Sequence, residues 1–152
     1  MADEHVSRAV YACVLQSLAA RYAWGGGHDQ APGVWPAGPW DCSGYTRAVL
    51  REIGRPLSVD MTATRQWKHY GSPRALDAQA GDLMWWGTIA ADGTVKIAHC
   101  GFCILAGTPG SRGIAVSAFR GGPNTHGDNP KACVQPHTFS GTGLTLIGSC
   151  AP

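Results

Sequence analysis

The chain has 152 residues and a mass of 15.9 kDa, a length that suits one domain over 1–152 and excludes a second module of ordinary size. Charged residues make up 14 % against 44 % hydrophobic and 9 % aromatic, which supplies a core and excludes a disordered chain. Twelve Lys and Arg against ten Asp and Glu leave a net charge of +2 with no long run of either sign, which excludes a dedicated nucleic-acid binder.

Val6, Val10, Val14 and Leu18 recur four apart, so residues 4–20 are predicted to form an amphipathic helix. The stretch from Tyr22-Ala-Trp-Gly-Gly-Gly27 to Trp40 is rich in Gly and Pro and reads as a surface loop. Asp41 is then a helix cap, because Tyr45, Val49 and Ile53 follow at helical spacing and Gly54 with Pro56 ends the run. A shorter helix is predicted over roughly 60–70. Beyond Ala80-Gly-Asp82 the pattern turns to short β-rich runs, 83–86, 95–105, 114–119 and 144–147, separated by glycine-bearing turns. Helices first and an antiparallel sheet afterwards define an α+β fold.

The six cysteines are even in number, but a chain of this size and apolar content does not require disulfide staples. Cys100 and Cys103 form a C-x-x-C on a predicted strand, where an offset of three sends the side chains to opposite faces. That geometry is poor for a shared ion, and no metal or cofactor is expected. Cys42 differs, since a helix start turns backbone N–H groups and the positive dipole end toward its sulfur. A free thiol is only about 3 % thiolate at pH 7, so a nucleophilic cysteine needs an imidazole partner. Of the six histidines, His5 and His69 fall on predicted helices, and His28, His126 and His137 in loop-like contexts. His99 alone sits in a strongly apolar strand, Ile97-Ala-His-Cys-Gly-Phe-Cys-Ile-Leu105, where an ionisable ring must find a partner or face a cleft. A thiol on a helix start and an imidazole on a later strand, in the order Cys then His, are the halves of a papain-like dyad.

Four motifs in order then make a resemblance specific: Tyr22-Ala-Trp-Gly-Gly26, Asp41-Cys-Ser-Gly44, Ala80-Gly-Asp-Leu83 before an aromatic strand, and His99-Cys-Gly-Phe-Cys-Ile104. Together they resemble the NlpC family of papain-like cysteine endopeptidases that cut the stem peptides of bacterial peptidoglycan. The resemblance implies a papain-like α+β fold, with Cys42 as nucleophile and His99 as general base. It also implies that Tyr22, Asp41 and Ser43 shape the substrate side of the cleft. Such enzymes orient the imidazole with a third polar residue, usually histidine, on the strand after the histidine strand. This chain offers Ser117 there, with Asn124 or His126 in the following segment as alternatives.

The implied activity is hydrolysis of a stem-peptide amide, between D-glutamate and the diamino acid. The alternatives are a papain-like acyltransferase or deamidase, a wall-binding module without catalysis, and, least favoured, a zinc amidase. Met1-Ala-Asp-Glu lacks the basic start and apolar run of a secretory signal, and no stretch of about twenty apolar residues could span a membrane. The chain is therefore expected to start in the cytoplasm and reach the wall by another route. A phage lysin or tail hydrolase would fit, as would an antibacterial effector held in check by an immunity protein.

Overall fold

The computed structural model describes residues 3–107, 113–119 and 132–152. Helix α1 spans Glu4–Ser17, with Asp3 accepting the His5 N–H at 3.0 Å as its cap. It stops short of residue 20 because the chain turns at Ala19, φ 66°, to hydrogen-bond elsewhere. The Ala19 N–H donates to the Val134 carbonyl and the Val134 N–H to the Ala20 carbonyl, each at 2.8 Å. Tertiary pairing thus overrides the helical spacing that Leu18 continued.

Helix α2 spans Cys42–Glu52 with Asp41 as its cap, as the sequence indicates. It ends where Gly54 adopts φ 77° and the Arg55 N–H reaches back to the Leu50 carbonyl at 2.8 Å, a glycine-terminated helix stop. Helix α3, Ala63–His69, starts later than residue 60, because Thr62 caps it while the Asp60 carboxylate is engaged by His28. Buried Gln66 ties α3 to α2: its Nε2 donates to the Ser43 and Met61 carbonyls, and its Oε1 accepts from Thr46 at 2.7 Å.

Five antiparallel strands follow: β1 Leu83–Ile89, β2 Val95–Leu105, β3 Ile114–Phe119, β4 Cys133–Thr138 and β5 Thr145–Cys150, in the spatial order β4-β3-β2-β1-β5. Sequence reading did not find β4. Pro136 within it is a residue confined in sheets to edges and bulges, and β4 is an edge strand. The helices cover one face. There Trp85, Cys100, Phe102 and Val116 pack with Val10, Val14, Tyr45 and Val49. A smaller core of Met84, Trp86, Cys103, Ala115 and Phe139 covers the other face. The paired positions 85/86 and 100/103 therefore split between faces, as strand alternation requires. Trp85 and Trp86 are both fully buried, and truncating either would cost about 3–5 kcal/mol. All six cysteines are unbridged. No helix among the described residues is long and apolar enough to cross a membrane.

Candidate active site

The site begins with two glycine-bearing motifs that interlock. Asp41 Oδ1 accepts the Gly44 N–H at 2.7 Å, Oδ2 accepts the Gly25 N–H at 3.2 Å, and the Asp41 N–H donates to the Gly26 carbonyl at 3.0 Å. A Cβ on Gly44 would stand 2.0 Å from that Gly26 oxygen, so only glycine lets the loop lie on the first turn of α2. Backbone contact between Tyr22-Ala-Trp-Gly-Gly26 and Asp41-Cys-Ser-Gly44 therefore sets Cys42 as the first residue of α2, against the positive end of the helix.

The Cys42 thiol faces Cys100 and His99, neighbours on β2. Their influence holds it well below the usual thiol range, Cys100 contributing most and the His99 charge adding to it, while burial opposes. Burial and the Cys42 charge push Cys100 the other way. The negative charge belongs on Cys42, since Cys42 borders a cleft beside an imidazole whereas Cys100 is fully buried. A thiol shifted in this direction is more readily ionised, and so more reactive, than a free one.

His99 is itself 7 % exposed, and its Nε2 lies 2.8 Å from Ser117 Oγ on β3. Gly101 makes this approach feasible, for a Cβ there would meet the Ser117 Cβ at 2.8 Å. Ser117 Oγ in turn lies 2.7 Å from Nε2 of His137 on β4, whose Nδ1 donates to the Thr138 carbonyl at 2.8 Å. The register places His137 opposite Ala115, on the same face as Ser117 and two residues along from it. Burial lowers His137 to about 4, His99 adding to the effect, although the Thr138 carbonyl favours the charged form.

Cys42 and His99 border a cleft of about 570 Å³ whose walls include Tyr22, Trp24, Phe119 and Leu144. Trp24 is 79 % exposed where it lines the cleft. Trp40, in contrast, is buried in the core beneath the loop.

The three residues expected to contact substrate separate into two places. Tyr22 is buried and lines the cleft. Asp41 and Ser43 turn toward His28, whose Nε2 lies 3.0 Å from Asp41 Oδ1 and 3.1 Å from Ser43 Oγ, while its Nδ1 meets Asp60 at 2.5 Å. The Asp41 bond, with Asp60 and against burial, raises His28 to about 9, so it is an imidazolium at neutral pH. Arg47 joins Asp60 at 3.3 Å. Burial alone would raise the Asp60 carboxyl, but His28 and Arg47 hold it below its ordinary value.

Sequence reasoning therefore brings together Cys42, His99 and Ser117, and misses His28, Trp24 and His137. The alternation of Val134 with Gln135 and His137 was a signal for β4, hidden by Pro136. Asn124 and His126 lie outside the described residues. No group of three His, Cys, Asp or Glu side chains able to hold a metal ion occurs among the described residues.

Compared with known proteins, residues 19–122 match the profile of the NlpC/P60 family. No curated protein matches the chain.

Proposed function

The chain belongs to the NlpC/P60 family, whose members are peptidoglycan-directed cysteine peptidases and amidases, and we propose that it hydrolyses a stem-peptide amide between D-glutamate and the diamino acid. One observation carries this reading: a depressed thiol at the start of α2, beside an imidazole from β2, opens on a cleft large enough for a peptide. Cys42 thiolate attacks the carbonyl carbon, and the Cys42 backbone N–H at the helix start faces the developing oxyanion. The His99 imidazolium then gives its proton to the departing amine, leaving a thioester. Water attacks the thioester with His99 as base, which releases the carboxylate and restores the thiol. Tyr22 contributes to the cleft wall. Asp41 and Ser43 act on the substrate side from behind, by fixing the loop that carries Trp24. The bacterial wall is the place of action, whether the chain serves as a phage lysin or tail hydrolase or as an effector with an immunity protein.

Digestion of purified peptidoglycan, with products identified by mass, tests the reading. The expected result is new D-glutamate carboxyl and diamino acid amine ends, lost entirely in Cys42→Ala and His99→Ala proteins that keep the wild-type circular dichroism. Lysis by either purified variant would remove the dyad. Products joined to an added acceptor would mark a transferase, and muropeptide binding without turnover would mark a wall-binding module.

A further inference from the structure

Serine is a weak substitute for the histidine that would orient the imidazole, because a hydroxyl both donates and accepts and can turn either way. The hydrogen bonds beyond Ser117 remove that freedom. The Thr138 carbonyl only accepts, so His137 Nδ1 carries a proton. His137 is neutral above about pH 4, which leaves its Nε2 as a bare acceptor. The Ser117 O–H therefore donates to His137 at 2.7 Å, and its oxygen is left to accept from His99 Nε2–H at 2.8 Å. We propose that His137 is a positioning residue of this site: acting through Ser117, it keeps a proton on His99 Nε2 and leaves Nδ1 as the nitrogen that exchanges protons with the thiol and the substrate.

The inference rests on the peptidase reading above for its catalytic consequence, though not for its geometry. After Nδ1 has given its proton to the leaving amine, His99 can draw a proton from water at Nδ1 only if Nε2 keeps its own. The surroundings hold His137 in the required state. The rings packed on it are Trp86 of β1, His99 of β2 and Phe119 of β3, at centroid distances of 5.5, 6.1 and 5.7 Å. Of these only His99 titrates, and a positive charge on it disfavours a second one on His137. A histidine two strands away thus supplies direction to a serine that has none.

Two measurements test this. His137→Phe keeps an aromatic ring between Trp86 and Phe119 but offers no acceptor, whereas His137→Gln restores one. Long-range proton–nitrogen NMR of the histidine rings, recorded in a Cys42→Ala background so that His99 is not held as an ion pair, should show a single Nε2–H form of His99. With His137→Phe it should show a mixture of both forms, and with His137→Gln a return toward the single form. In the active chain, His137→Phe and Ser117→Ala should each lower kcat for muropeptide cleavage about tenfold, the scale of one lost hydrogen bond, with KM unchanged. The double variant should be no slower than Ser117→Ala, because His137 acts only through the serine. An additive hundredfold loss, or an unchanged His99 spectrum in His137→Phe, would overturn the proposal. Were the wild-type chain to leave peptidoglycan intact while the NMR forms shift as stated, the peptidase reading would fall and the relay would stand.

Discussion

Replacing His28 with glutamine removes a partly buried positive charge while keeping a polar side chain of similar reach, and its cost depends on pH in a way that packing loss does not. The imidazole is raised from 6.5 to about 9 by Asp41 and Asp60, with side-chain exposures of 16 % for His28, 13 % for Asp41 and 30 % for Asp60. A raised folded-state value means that the stabilisation is complete below 6.5 and disappears as pH rises through 9. At about 1.4 kcal/mol per unit, the imidazolium contributes about 3 kcal/mol at pH 6, about 2 kcal/mol at pH 7.5 and almost nothing at pH 9.5. Loss of contacts and the exposure of Asp41 to Asp60 add a penalty to His28→Gln that is the same at all three pH values. Urea unfolding of both proteins at each pH reads the difference, which should shrink by about 3 kcal/mol from the lowest to the highest. A difference that stays constant, or grows with pH, would refute the assignment of His28 as a cation.

Gly44→Ala should cost about 3 kcal/mol or more and lower Tm by roughly 10 °C, since its Cβ would meet the Gly26 carbonyl oxygen rather than a movable side chain. Gly54→Ala is the control: φ is 77° there but nothing lies within 4 Å, so the loss should be about 1 kcal/mol, and equal losses at the two positions would argue against the interlock. Cys100→Ala removes the foremost contribution to the low Cys42 value, so alkylation of Cys42 by iodoacetamide, followed by peptide mass, should need higher pH than in the wild type. An unshifted alkylation profile would show that Cys100 does not support the thiolate.

Local signals wrote much of this fold into the chain. Asp41 and the apolar spacing behind it predict α2 because a cap and a helical stripe are properties of neighbouring residues. The same holds for β2, whose long β-rich run has the bounds expected from its sequence. What escaped depends on residues distant in the chain. Helix α1 ends early because Val134 claims the backbone of Ala19 and Ala20, and no feature near Leu18 announces that. His28 resembles any loop histidine until folding sets Asp41 and Asp60 around it, 13 and 32 residues away. His137 was doubly hidden, by a proline that argues against a strand and by a serine standing between it and the imidazole.

Strand β4 is the outermost ribbon of the sheet, yet its outer side is not bare. The turn after α1 lies along its beginning, bonding Ala132 through Tyr22 and Val134 through Ala19 and Ala20. The same few residues thus seal a margin that other chains could pair with and pass directly into the cleft wall at Tyr22. His137 stands three positions past that seam and two before buried Phe139, whose N–H donates to the Gly113 carbonyl at 3.2 Å and pins the far end of the strand. With the ribbon fastened on both sides of that ring, warming should leave the alignment of His99 intact until the core loosens, so that working precision and overall integrity are lost at the same temperature.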